Sequence, residues 1–98
     1  MRRALNAAEI VTRLATLDGW KLSGDGPDAA IEKTFNFEDY YETMAFVNAV
    51  AFIAHAKDHH PDLSVHYSRC MVRFSTHDVK GLSVTDFECA ARVDALLA

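Results

Sequence analysis

Two short clusters in this chain carry the residue types that move protons. Asp58-His59-His60-Pro61 is followed, seventeen residues after His60, by Thr76-His77-Asp78, and the two hold three of the five histidines. Imidazole is the side chain whose ordinary pKa, about 6.5, lets it give and take protons near neutrality. If the clusters meet in the fold, they form a proton-transfer site or a metal site. Acid–base work by two or three imidazoles around a small substrate requires no cofactor. The plainer reading is that His59 and His60 only close a helix, where an imidazolium is favourable.

Other chemistries find less support. His55 and His59, four apart, would share a helix face as in a zinc-binding HxxxH pair. Ala56, however, stands where the general-base Glu of HExxH would be, and no Cys lies near either cluster. Ser64, Ser75 and Thr76 neighbour histidines without the strand–turn–helix frame of a hydrolase nucleophile. Thr76 reads better as a structural hydrogen-bonding residue at a strand end. The glycines at 19, 24, 26 and 81 suit turns and strand starts rather than a phosphate-cradling loop.

Three segments carry helix-start signals. Asn6 with Glu9 three residues on predicts a capped helix to about Leu17, with Ile10, Leu14 and Leu17 on its apolar face. Asn36 with Asp39 predicts a second helix running to about Lys57. Ser83 with Asp86 predicts a third, with Phe87, Ala90, Ala91, Val93 and Leu97 inside. In the second helix Phe46, Val47, Val50, Ala51, Phe52, Ile53 and Ala54 spread apolar surface almost all round, which implies burial on more than one face. In a chain this small, the second face is expected to meet another subunit.

Strands fill the intervals. Trp20–Ser23 and the alternating stretch Ala29–Phe37 flank the turn residues Gly24-Asp25-Gly26-Pro27, predicting a hairpin. Lys33 interrupts the apolar face of the second strand, which suggests a position near a sheet edge. From Leu63 to Phe74 the apolar phase switches: Leu63, Val65 and Tyr67 are odd, Cys70, Val72 and Phe74 even. One strand cannot change face in that way, so a two-residue turn at Ser68-Arg69 is expected. It would pair Tyr67 with Cys70, Val65 with Val72 and Leu63 with Phe74. Continued outward, that ladder sets His60 opposite His77 and brings the clusters together.

Bulk properties bound the alternatives. The chain has 98 residues, half of them apolar, and a net charge of −4, which fits one ordinary globular domain spanning 1–98. No basic stripe suggests nucleic acid, and no apolar run suggests a membrane span or a signal segment. Cys70 and Cys89 form no CxxC pair and sit among apolar neighbours, as buried reduced thiols do. The expectation is a cytoplasmic protein.

Lys57-Asp58-His59-His60-Pro61-Asp62, Val65-His66-Tyr67, Thr76-His77-Asp78, Gly81-Leu82-Ser83 and Asp86 together resemble the pterin-4a-carbinolamine dehydratases. Gly19-Trp20 and the helix from Met44 through Ala51 fit the same pattern, so the resemblance runs from about Leu17 to Leu97. It implies an α+β fold, a four-stranded antiparallel sheet with three helices on one face in the order α-β-β-α-β-β-α. It also implies a homodimer or homotetramer and no cofactor. The implied activity is loss of water from a 4a-hydroxytetrahydropterin to give quinonoid dihydropterin, which serves aromatic amino acid hydroxylases.

By this resemblance His59, His60 and His77 are the catalytic histidines. His59 and His77 would form the acid–base pair, in either order, while His60 orients substrate. Asp58, Pro61, Thr76 and Asp78 would line or support the pocket. Trp20 is a candidate to flank the pterin ring, and Asp78 or Asp86 to fix a histidine tautomer. Two positions depart from the pattern: His55 where Glu is usual, and Ser68 where Asn is usual. Some similar proteins are dimerisation partners of a transcription factor or assembly factors, so a non-catalytic interaction protein is the first rival. A metal-binding protein using His55, His59 and a third ligand is the second.

Overall fold

Alternation along two segments builds the centre of the molecule. Ile31 and Phe35 on one strand, and Cys70, Val72 and Phe74 on another, are all buried. Successive strand residues point to opposite faces, so these five share one side of the sheet. The computed structural model describes residues 2–98. Its elements are α1 (Ala7–Leu14), β1 (Lys21–Ser23), β2 (Ala30–Asn36), α2 (Tyr40–Lys57), β3 (Asp62–Val65), β4 (Arg69–Phe74) and α3 (Val84–Ala95). One-turn 3-10 helices occupy Gly26–Asp28 and His77–Val79. The strands form one antiparallel sheet in the order β1-β2-β4-β3. The helices pack on the face that carries Ile31, Phe35, Val72 and Phe74, giving the expected α+β architecture.

The helix starts follow local chemistry. At α1 the Asn6 side chain accepts from the Glu9 N–H, and the Glu9 carboxylate accepts in return from the Asn6 N–H. Arg3 also grips Glu9, and chiefly for that reason the Glu9 carboxyl is held down at about 2. The helix proper ends at Leu14, and single turns carry the chain on to Leu17, which packs on the core with Ile10 and Leu14. α2 begins later than the Asn36 signal suggests. Asp39 caps it by accepting from the Glu42 N–H at 2.8 Å, whereas Asn36 is the last residue of β2, opposite Arg69. In α3, Phe87, Ala90 and Val93 are buried as expected, but Ala91 faces solvent and Leu97 lies beyond the helix, 54% exposed.

Lys33 does not mark an edge. β2 is an inner strand, and the Lys33 ammonium is satisfied from below by Asp94 Oδ1 at 3.0 Å and the Asp18 carbonyl at 2.9 Å. It also lies 5.0 Å over the Phe35 ring. Trp20 donates its indole N–H to the other Asp94 oxygen at 3.0 Å. This one carboxylate on α3 therefore ties down the start of β1 and the middle of β2.

The β3–β4 register differs from the one that the apolar phase suggests. Leu63 faces Val72 and Val65 faces Cys70, and the His66 N–H meets the Arg69 carbonyl at 2.9 Å. The turn is thus Tyr67-Ser68. Tertiary contacts place it there: the Tyr67 carbonyl accepts from the Thr43 hydroxyl of α2, and the Ser68 carbonyl from the Phe37 N–H. A slip of two residues keeps every side chain on its face, which is why the alternation survives while the partners change. Tyr67 leaves the core altogether and stacks on Tyr40 at 6.4 Å, both exposed.

Candidate active site

The end of α2 aims the first histidine inward. Asp58 takes the left-handed conformation (φ 48°, ψ 47°), its N–H bonds the His55 carbonyl, and the His59 N–H reaches back to the Ala54 carbonyl at 3.0 Å. This is a Schellman closure, which folds the chain back beneath the helix it ends. His59 is left 6% exposed, its ring nearly parallel to that of Phe74 with centroids 6.0 Å apart.

Below His59 lies a buried carboxylate. His59 Nε2 is 2.6 Å from Asp86 Oδ1. The other oxygen, Oδ2, accepts from the Thr76 hydroxyl at 2.7 Å and from the Ser83 N–H at 3.0 Å. Thr76 Oγ1 and Ser83 Oγ are 2.7 Å apart, and all three residues are at most 1% exposed. Because Thr76 donates to Asp86, the Ser83 hydroxyl donates to Thr76. Every donor in the network therefore points toward Asp86, as suits an ionised carboxylate, which only accepts. Opposite an ionised carboxylate, His59 carries its proton on Nε2. Among the described residues its ring has no second partner, and no buried side-chain nitrogen or oxygen goes unsatisfied. Nδ1 is thus the ring atom left facing solvent.

The second cluster arrives by a different route from the expected ladder. Pairing of β3 with β4 ends at Asp62 and Arg73, and extending that register would set His60 against Ser75 rather than His77. Thr76 bridges Gly81 instead, and His77 starts the 3-10 turn that Lys80 closes in a left-handed conformation (φ 54°). His60 and His77 are both exposed. The clusters are joined through Asp86, which holds His59 on one oxygen and Thr76, the neighbour of His77, on the other.

The remaining candidates fall into two groups. Asp58 is exposed at the helix end and Pro61 is half-buried beside His60. Asp78 is exposed, 3.7 Å from Arg2. Trp20 is buried in the core, edge-on to Phe35 and 6.1 Å from Phe74, so it stands one ring away from His59. His55 is exposed one turn before Asp58. Among the described residues no three His, Cys, Asp or Glu side chains form a group that could hold a metal ion.

Sequence reasoning left Ser83 and Phe74 outside the site and Asp86 undecided between capping and fixing a histidine. Asp86 does both, since the Ser83 N–H it accepts is an orphan donor of the α3 N-terminus. The Ser83–Asp86 spacing signals a cap whether or not a histidine lies above it, so no sequence signal separates the two roles. Phe74 fits the strand alternation, which hides its second contact.

Comparisons with known proteins give the family. The family model described as pterin 4 alpha carbinolamine dehydratase matches residues 3–96. A protein of Paracidovorax citrulli, provisionally named a pterin-4-alpha-carbinolamine dehydratase, is 74% identical over 97 residues, covering 99% of this chain and 84% of its own. One of Stenotrophomonas maltophilia with the same provisional name is 59% identical, covering 94% and 78%. Among solved structures, a transcriptional coactivator/pterin dehydratase from Brucella melitensis superposes with a TM-score of 0.90 at 29% identity, covering 98% of this chain and all of its own. A pterin dehydratase-like protein identified as a RuBisCO assembly factor in the alpha-carboxysome superposes with a TM-score of 0.68 at 25% identity, covering 80% and 88%. The chain belongs to the pterin 4 alpha carbinolamine dehydratase family.

Proposed function

We propose that the chain dehydrates 4a-hydroxytetrahydropterin to quinonoid dihydropterin. The observation that carries this reading is the buried His59–Asp86 pair, which also holds Thr76, the neighbour of the exposed His77. In the reaction the C4a–O bond breaks, the hydroxyl leaves as water with one added proton, and N5 gives up its proton as the C4a=N5 bond forms. A carboxylate behind an imidazole stabilises the imidazolium that forms when the ring takes a proton. His59 is therefore the base toward N5, accepting on Nδ1, and His77 is the acid toward the 4a-hydroxyl. His60 orients the ring. Asp58 and Pro61 shape the turn that carries the histidines, Thr76 and Asp78 frame His77, and Trp20 acts indirectly, by backing Phe74. Acid and base steps contribute about 10²–10⁴-fold each. No cofactor enters the chemistry, and the product returns to the pterin pool of aromatic amino acid hydroxylases.

The assembly is proposed to be a homodimer or homotetramer built through the outer face of α2. Tyr41, Ala45, Asn48 and Phe52, all exposed, recur there at intervals of four, three and four, with Phe52 74% exposed. That spacing is a helix-packing seam.

A second reading, an interaction or assembly protein without catalysis, draws on the same seam and on the solved relatives described as a coactivator and an assembly factor. The decay of the 4a-carbinolamine separates the two. Because this dehydration also proceeds unaided, the test compares buffer, wild type, His59→Ala and His77→Ala. The dehydratase reading expects acceleration by wild type and loss in both variants; a wild type that matches buffer leaves the interaction reading.

A further inference from the structure

We infer that Thr76, backed by the Ser83 hydroxyl, is a positioning residue for His59. The inference rests on the dehydratase reading of the site and adds the means by which one ring nitrogen is kept free for the substrate.

An imidazole beside a carboxylate has two ways to be neutral, with its proton on Nε2 or on Nδ1. Which one it adopts depends on where the carboxylate lone pairs point. Asp86 is attached to the fold by its backbone in α3 and by the two donors on Oδ2, the Thr76 hydroxyl at 2.7 Å and the Ser83 N–H at 3.0 Å. Those donors fix the carboxylate plane, and Oδ1 is thereby aimed at His59 Nε2 at 2.6 Å. With the Thr76 proton on Asp86, the Ser83 hydroxyl, 2.7 Å from Thr76 Oγ1, donates to Thr76 and backs that orientation. The chain of hydroxyls is therefore not a proton relay. Its protons run one way, from Ser83 to Thr76 and from Thr76 to Asp86, and the carboxylate so held keeps His59 as the Nε2–H form with Nδ1 as its exchanging atom. Thr76 is buried and its hydroxyl bonds Asp86 and Ser83, not His59; it acts through Asp86.

The experiment reads the ring directly. Side-chain ¹⁵N spectra of His59 are recorded well above the ordinary imidazole pKa of about 6.5, for wild type, Thr76→Val, Thr76→Ser and Ser83→Ala, each also assayed for dehydration. Wild type and Thr76→Ser should show one neutral form, Nε2–H. Thr76→Val keeps the branched shape but loses the donor; it should show both neutral forms and a rate about tenfold lower, as the loss of one hydrogen bond to a charged group implies. Ser83→Ala should give a smaller shift of the same sign, and it carries the test if Thr76→Val does not fold. A folded Thr76→Val or Ser83→Ala that keeps a single Nε2–H form overturns the inference. A wild-type ring protonated on Nδ1 overturns the reading of the site itself. Wild type inactive but fixed as Nε2–H overturns the dehydratase reading and leaves the role of Thr76 standing.

Discussion

Replacing Asp86 by asparagine separates what the carboxylate does from the space it fills. An amide has one acceptor and one donor end, but His59 Nε2–H lies on one side of Asp86 and Thr76 and Ser83 donors lie on the other. With its oxygen toward Thr76 and Ser83, the amide turns its NH₂ to His59 Nε2 and drives the ring into the Nδ1–H form; turned the other way, it sets the NH₂ against the Ser83 N–H. The cost in stability should be no more than about 1–3 kcal/mol, the range for a buried polar group left unpaired. The rate should fall further, by about 10²-fold or more, because His59 then loses both its orientation and the partner that stabilises its cation. Chemical denaturation and single-turnover kinetics on the same sample check the two numbers. Equal rates for Asp86→Asn and wild type would remove Asp86 from the site. At this scale the sequence was legible in residue type and not in partnership. His59, His60 and His77 stand out by chemistry, while Ser83 reads as a cap alone and Thr76 and Asp86 enter the site only through the resemblance, their contact with each other hidden until the fold stacks them.

Both histidine-bearing turns are closed by a non-glycine residue in the left-handed region, Asp58 before His59 and Lys80 after the His77 turn. Such a conformation costs an L-residue about 1–2 kcal/mol, and among the described residues the exposed Lys80 side chain has no hydrogen-bond partner that offsets it. Lys80→Gly should therefore raise stability by about 0.5–1 kcal/mol, the strain relieved less the added freedom of the unfolded chain. In a domain of this size that moves Tm up by about 2–8 °C. Thermal unfolding checks it, and a fall in Tm would mean the turn is held by the lysine itself. These elements also show where sequence patterns lose reach. Ile31, Phe35, Val72 and Phe74 announce their face by period two alone. The Tyr67-Ser68 turn does not, because it is placed by the Thr43 hydroxyl and the Phe37 N–H, contacts that no local spacing encodes.

Across the whole molecule, α2 presents two contrasting sides. Thr43, Phe46, Val50 and Ala54 are buried against the sheet and α3, while Tyr41, Ala45, Asn48 and Phe52 run along the opposite side. The scarcity of polar residues on this helix is readable from the sequence; that Tyr41, Ala45, Asn48 and Phe52 line up opposite the buried side is visible only once that side is known. If a second copy covers the outer side, Phe52→Glu should shift the protein toward a single chain in sedimentation velocity at micromolar concentration. Wild type and variant sedimenting alike would remove α2 from the assembly. Function at this scale rests on one comparison, the decay of a 4a-hydroxytetrahydropterin with wild-type protein, with His59→Gln at the same concentration, and with buffer alone. The dehydratase account expects a rate that rises in proportion to wild-type protein and falls by about 10²-fold or more toward the buffer value in the variant. A wild-type rate equal to that of buffer would contradict it.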